Sequence, residues 1–491
     1  MSFVGSSLAR FFVFDPRLGP TEETEHEKIL YYWPPSTPLN RQQSDIGLSE
    51  ALINFTRTFS KDRPCEAVHL EKTRQAFYEC EPDIWMVLVC VHISFRAANN
   101  PATARVKDSV TTNEYESEEL SDATLQRVVE QAYKTFRLFN GSMAQIVRES
   151  KEDGLREKLS DFFGHYAPTI NFKTVDLFSA LDGVHFLPVD KNVYLRIQSF
   201  VNWTENNFPS IEYSCFLYRD HLVWSGLEQE DMRIMYHYLV NHLLPPFKKW
   251  KDPKQQVWPA GIAHVLNTKI TFFTCLFDGK WDGYMQAPQG VQPTVASLPM
   301  HCPRIQLSRP HQYHTASNGQ QQAQTAPDGD FYNLIIFQML DTTCLFLVRD
   351  ATKLDARFFT ELRTFVTPQL EFLTPILTDH WTKKQGYADD YRYIYFNHMN
   401  LALKTSIKKK GLSITREHMK ILTDMHADFE KATECVTELM VRTQNDGWVV
   451  GRKSDQREFY VIFDQKNANL LEINDEVRKL CSTYFNNIFI D

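Results

Sequence analysis

The stretch Tyr213–Leu244, YSCFLYRDHLVWSGLEQEDMRIMYHYLVNHLL, restricts the possible fold more than any other part of the chain. Two short apolar runs, Tyr213–Tyr218 and Leu222–Trp224, flank the polar link Arg219-Asp220-His221, which is the pattern of a β-hairpin. Ser225 stands three residues before Glu228, the spacing of a capping box in which each side chain accepts an orphan backbone donor. Glu228, Glu230 and Asp231 put negative charge in a first helical turn, where the macrodipole favours it. Met232, Met235, Leu239 and Leu243 then recur at helical spacing, and Pro245-Pro246 ends the run. The unit is a hairpin followed by one amphipathic helix that covers a face of its sheet.

The same unit recurs along the chain. Phe11–Phe14 and Ile29–Trp33 are strand-like, and a helix capped by Ser44 or Asp45 follows, with Leu48, Ala51, Leu52, Phe55 and Phe59 on one stripe. Ala67–Tyr78 is a further strand, and Ile84–Ile93 is apolar almost without interruption, as in a central strand buried on both faces. Ala97–Glu119 reads as a polar loop. Leu120–Ile146 is a long amphipathic helix broken near Asn140-Gly141, and Gly154–Tyr166 is another. Residues 171–207 form a connector before the hairpin unit. After it, Leu334–Met339 and Cys344–Arg349 are strands, and a helix from Leu354 to Val366 stops near Pro368. Tyr391–Asn397, Trp448–Arg452 and Glu458–Asp464 are strands, with helices over Glu417–Phe429 and around Ile473, Val477 and Leu480. The pattern is α/β (α+β), in three modules of the usual domain size of about 100–150 residues. No sequence signature repeats between them.

Composition removes several function classes. The net charge of −8 opposes nucleic-acid binding, which needs a basic surface. Nine scattered cysteines without a C-x-x-C pair suit reduced thiols in a cytosolic protein. The N-terminus is no signal peptide, and no stretch approaches the roughly 20 apolar residues of a spanning helix, so membrane contact is expected to be peripheral. There is no G-x-S-x-G, no G-x-x-x-x-G-K-[ST], no G-x-G-x-x-G and no H-E-x-x-H. No catalytic residue, metal site or cofactor is therefore nominated. His398-Met399, after a strand, is read as packing and turn.

Surface features are less specific. Lys248, Lys249 and Lys251, and Lys404 with Lys408–Lys410, suit anionic headgroups or ordinary exposed loops. The acidic run Glu114–Glu119 is a solvated loop or a dock for a basic partner. In Lys269–Met285, a helix would align Ile270, Phe273, Phe277 and Trp281 at an interface with lipid. ITFFTCLF is equally rich in strand formers, and both alternatives stand. The long segment 247–330 is rich in Pro and Gly and reads as an insertion.

FTRTFS (Phe55–Ser60), WSGLEQEDMRI (Trp224–Ile234), YIYFNHMNLA (Tyr393–Ala402) and the terminal VVGRKSD…FYVIFDQKNANLLEINDEV…FNNIF resemble the Ccz-one family of vacuolar fusion proteins, a tri-longin family. The resemblance spans nearly the whole chain and is weakest over 247–330. It implies three longin-type modules, each an antiparallel sheet flanked by helices, set at 8–168, 169–381 and 391–491. It implies one half of a heterodimer with a Mon-type longin subunit, which exchanges guanine nucleotide on the late-endosomal GTPase Rab-seven. A propeller-containing third subunit joins them, and anionic or phosphoinositide membranes recruit them to endosomes and lysosomes. Such exchange needs no nucleophile, only tighter binding of the nucleotide-free GTPase. A tethering scaffold without exchange activity is the alternative. For GTPase contacts the polar side of the first module's helix is nominated, Glu50, Asn54 and Arg57, with Ser60 and Arg63 of the following loop. The other possibility is a merely solvated helix face. The strand-rich Ala67–Ile93 region is expected to offer an edge to the partner subunit.

Overall fold

The computed structural model describes residues 4–21, 23–60, 65–70, 73–94, 122–170, 177–240, 270–273, 304–307, 330–339, 341–352, 354–384, 391–407, 414–431, 436–443, 447–464 and 468–484. The expectations for 97–119, Arg63, Leu243–Pro246, most of 247–330 and Lys408–Lys410 lie outside the described residues.

The first sheet is built from β1 (Val4–Phe14), β2 (Ile29–Trp33), β3 (Ala67–His69), β4 (Thr73–Glu81) and β5 (Ile84–Ser94), with helix α1 (Leu39–Phe59) between β2 and β3. The strands run antiparallel in the order β2-β1-β5-β4-β3. The expected strand over Ala67–Tyr78 is thus two, joined by a turn in which the Leu70 N–H donates to the Thr73 carbonyl at 2.9 Å. β5 is unbroken apolar because both its faces are covered. Trp85, Val87 and Val89 pack with Phe12, Phe14 and Tyr32 under α1. On the other face Phe11 and Tyr31 meet Phe163 of α3. The helices α2 (Asp122–Asn140) and α3 (Met143–Tyr166) are separated at Gly141, whose φ of 86° belongs to the left-handed region that glycine enters freely.

The connector forms a short helix α4 (Leu177–Leu181), a two-residue strand β6 (Val184–His185) and helix α5 (Lys191–Asn207). The expected hairpin follows as β7 (Ile211–Tyr218) and β8 (His221–Ser225), with α6 (Gln229–Tyr238) behind it. β9 (Ile270–Phe273), β10 (Arg304–Gln306), β11 (Phe331–Met339), β12 (Thr342–Arg349) and α7 (Ala356–Lys384) complete the second module. Its sheet order is β10-β11-β12-β7-β8, with β9 also on β11. One face packs on α6 through Met232, Met235, Tyr236 and Leu239. The other packs on α5 and α7 through Ile197, Phe200, Leu362, Val366, Leu370 and Leu377.

Three expectations are corrected here. Ser225 and Glu228 form no capping box: α6 starts at Gln229 with Glu228 as its N-cap, and no side chain caps it. The Ser225 hydroxyl instead accepts the Leu227 N–H at 3.1 Å, one turn too early. The helix after Leu354 does not stop near Pro368, since α7 continues through Pro368 and Pro375. Each internal proline costs about 3 kcal/mol, and the unbroken buried row Leu362, Val366, Leu370, Leu373 and Leu377 offsets that cost. Between helix and strand for the stretch from Lys269, the structure takes the strand over Ile270–Phe273, where Phe273 pairs with Ile336 and Ile270 with Met339. Ile270 and Phe273 therefore do not belong to a membrane-lying helix.

The third sheet contains β13 (Arg392–Asn397) and β14 (Ala402–Thr405), followed by helix α8 (Arg416–Lys431) and strand β15 (Glu438–Arg442). The hairpin β16 (Trp448–Ser454) and β17 (Arg457–Phe463) precedes the last helix α9 (Leu470–Tyr484). Five strands run in the order β16-β17-β13-β14-β6, the last pair parallel.

Two compact units result, one of residues 1–133, 150–182 and 414–445, the other of 134–149, 183–413 and 446–491. Within the second, the segment around β6 acts as a strap. The Val184 N–H donates to the Leu401 carbonyl at 2.8 Å, and the Leu187 N–H donates to the Leu222 carbonyl of β8 at 2.9 Å. A Cβ on Gly183 would lie 2.8 Å from Leu403 and 2.9 Å from the Phe396 ring, so only glycine lets the strap approach this closely.

Candidate functional site

The helix α1 is where the sequence nominated GTPase contacts, and its mounting decides what it presents. Its inner face is Asp45, Ile46, Ser49 and Ile53, all buried. Asp45 is not a cap, because the first turn closes earlier, with the Arg41 and Gln42 N–H groups donating to the Pro38 carbonyl at 2.9 and 3.1 Å. Instead its carboxylate is a buried hub. Arg10 Nη1 of β1 donates to Oδ1 and Oδ2 at 3.1 and 3.0 Å, and the Tyr32 hydroxyl of β2 donates to Oδ2 at 2.6 Å. Arg41 adds an ion pair at 3.2 Å. The Tyr32 ring stacks on Phe12 at 5.4 Å, and burial, then the bond to Asp45, push its phenol well above the usual range. A carboxylate is tolerated inside only when paired and hydrogen-bonded like this.

The consequence is on the opposite side. Most of the apolar stripe expected from the spacing faces outward: Leu48 is 47% exposed, Phe55 62% and Phe59 78%, while Leu52 of the same stripe is half-buried against the core. Ala51 is exposed between them. The Phe55 and Phe59 rings meet edge-to-face at 5.0 Å, so the patch is ordered within itself and uncovered. Exposed apolar side chains grouped on one helix face make this face a candidate interaction surface.

The nominated polar residues divide. Lys28 Nζ donates to Glu50 at 2.8 Å, and Arg57 donates to Glu79 at 3.3 Å while lying 5.4 Å over the Trp85 ring. Both flank the helix, Glu50 tying it to the turn before β2 and Arg57 to β4 of the sheet. Asn54 and Ser60 are exposed, Asn54 beside Phe55 and Ser60 just past Phe59. Arg63, Lys248, Lys249, Lys251, Phe277 and Trp281 lie outside the described residues. Leu48, Phe55 and Phe59 were missed as surface residues. The available signal was Arg10, a cation in the strand ARFFVF that leads straight into Phe11–Phe14 and needs an anion across from it.

His398 has a structural partner. Its Nε2 lies 2.9 Å from Glu458 Oε1, and the Tyr460 hydroxyl donates to Oε2 at 2.7 Å, which satisfies a buried carboxylate. Among the described residues no group of three or more His, Cys, Asp or Glu converges, and no helix is long and apolar enough to cross a membrane.

Comparison with known proteins supplies the family. Three family models match in succession: the first longin domain of INTU, CCZ1 and HPS4 over residues 8–141, Intu longin-like domain 2 over 211–282, and Intu longin-like domain 3 over 388–480. The vacuolar fusion protein CCZ1 homolog of Nematostella vectensis is 40% identical over 489 residues, covering 98% of this chain and 97% of that protein. The homologs of Xenopus laevis (34% over 511 residues, 100% and 99% covered) and Dictyostelium discoideum (35% over 492 residues, 99% and 99%) are similar along their length too. With such identity from end to end and a longin match on each of its three sheets, the chain belongs to the CCZ1 family of vacuolar fusion proteins.

Proposed function

We propose that the chain is one subunit of a guanine-nucleotide exchange factor that activates the late-endosomal GTPase Rab-seven, and that it works with a Mon-type longin subunit. A propeller-containing third subunit completes the complex, which is cytoplasmic and peripherally recruited to endosomal and lysosomal membranes with anionic or phosphoinositide headgroups. It serves endosome maturation, vesicle fusion and autophagy. The observation that carries this is the outer face of α1, an apolar helix surface on the first longin domain, held rigidly from beneath by the Asp45 hub. Leu48, Phe55 and Phe59, with Asn54 and Ser60 at the rim, dock the GTPase. Glu50 and Arg57 set the helix angle through Lys28 and Glu79. β3, a terminal strand of the same sheet, is the edge offered to the Mon-type subunit.

No bond is made or broken by the protein in this mechanism. Exchange accelerates because the complex binds the nucleotide-free GTPase more tightly than the loaded one, and each tenfold in that preference is about 1.4 kcal/mol. The test is release of labelled GDP from Rab-seven with this chain, with the Mon-type subunit, and with both. Acceleration by both together supports the proposal. Complex formation without acceleration leaves the chain a tethering scaffold.

A further inference from the structure

The strap around β6 is fastened to both of the modules it touches. The Val184 N–H donates to Leu401 of the third module, and the Leu187 N–H to Leu222 of the second. Between these two the His185 N–H hydrogen-bonds the Tyr236 hydroxyl of α6. That hydroxyl in turn donates to the Asp220 carbonyl, at 2.7 Å, in the turn between β7 and β8. Tyr236 is fully buried, so its hydroxyl depends on these protein partners. On the other side Leu401 holds a left-handed backbone, φ 56°, which a Cβ disfavours. Its side chain is buried and its carbonyl is the acceptor of Val184. A leucine keeps such a conformation only where its surroundings over-determine it, and the strap is one of them. Ala402 and Leu403 extend the contact as parallel partners of Val184 and His185.

We propose that this junction is a conformational coupler: residues 184–187, with Tyr236 as the node on α6, make β8 and α6 of the second module open and close together with β14 of the third. The bonds to the two modules come from neighbouring amides of one short extended segment. The segment cannot slide off one module without straining the next bond along, which belongs to the other. Loosening either end therefore loosens the far end, and whatever stabilises one module stabilises the other by the same coupling. The coupler lies outside the α1 face and does not rest on the exchange function.

The test is amide hydrogen exchange on the full chain, perturbed from each end and read at the other. Tyr236→Phe removes one hydroxyl and keeps the ring that packs in the core of the second module. It should speed exchange over 402–405 of the third sheet at least fivefold. Gly183→Ala puts a methyl against Leu403 and Phe396 of the third sheet. It should speed exchange over 222–224 and 235–238 of the second module at least fivefold. Exchange at the sheet centres, 334–337 and 459–462, should stay within twofold of the native chain in both variants. A variant that speeds the centres as well has lost its fold, and Leu187→Pro then decides. It removes only the donor to β8, and it must speed exchange over 402–405 at least fivefold. Effects confined to the perturbed module, in either direction, with the sheet centres unchanged, overturn the proposal.

Discussion

α1 and α6 hold equivalent places, each the helix that follows a hairpin and lies on its sheet, yet they differ in what they bury and in what they leave exposed. α6 buries its apolar row, Met232, Met235 and Leu239, against Leu217, Leu334, Ile336 and Leu345. α1 buries Asp45 and Ser49 beside Ile46 and Ile53, and leaves Leu48, Phe55 and Phe59 outside. The cause lies in the strands beneath. The cluster under α6 is apolar and takes up the apolar row, although Asp231 and Arg233 of the same helix are buried as well. Under α1 stand Arg10 and Tyr32, which convert the cost of burying a carboxylate into three charge-assisted bonds. Amphipathic spacing names a stripe, and the partner strand decides which side of it is covered.

The largest expected effect is from Asp45→Ala, which leaves the Arg10 guanidinium without its buried carboxylate and should cost roughly 3–5 kcal/mol of unfolding free energy. Denaturant midpoints measure it. A loss under about 1 kcal/mol would mean that Ile46 and Ile53 hold α1 unaided, and that the two helices are seated alike.

Next, Phe55→Ser with Phe59→Ser should change stability by no more than about 0.5 kcal/mol, because both rings are largely in water already. Met235→Ala in α6, by contrast, should cost about 2–5 kcal/mol. The double variant should still lose at least tenfold in exchange on Rab-seven, about 1.4 kcal/mol of docking energy. Should it unfold as readily as Met235→Ala, the outward face of α1 would be core after all.

The smallest effect concerns the absent capping box. Ser225→Ala should lose about 0.5–1 kcal/mol for one hydrogen bond to Leu227. Glu228→Ala should be neutral within about 0.5 kcal/mol. A joint loss near 2 kcal/mol, read from the same midpoints, would show that the two side chains cap α6 reciprocally.

Much of the architecture was legible because it rests on strong periodicity. The hairpin β7–β8, the buried strand β5, the break at Gly141 and the hairpin β16–β17 all follow from runs of apolar residues and their turns. What failed were features settled by contacts distant in sequence. Pro368 reads locally as a helix stop, but the apolar row on either side of it packs on α5 and carries α7 onward. Asp45 reads as a cap until Arg10, 35 positions away, reaches it. The exposed face of α1 was hidden for the same reason: Leu48, Phe55 and Phe59 spell a core stripe, and only the identity of their opposite neighbours sends them outward. Of the nominated contacts, Glu50 pairs with Lys28 just before β2 and Arg57 with Glu79 on the sheet, whereas Asn54 and Ser60 remain at the surface.

The strap at β6 has a consequence for anyone who dissects this gene. Residues 184–187 precede the second sheet in the chain, yet Val184 and His185 complete the third sheet beside Ala402 and Leu403, while Leu187 is bonded to β8. A stop codon placed between the second and third modules would therefore strip a neighbour from a segment encoded nearly two hundred codons upstream. Such an allele therefore removes more than the module it was meant to delete. Missense changes on exposed faces, rather than nested deletions, are the genetic tool that separates the functions of this chain.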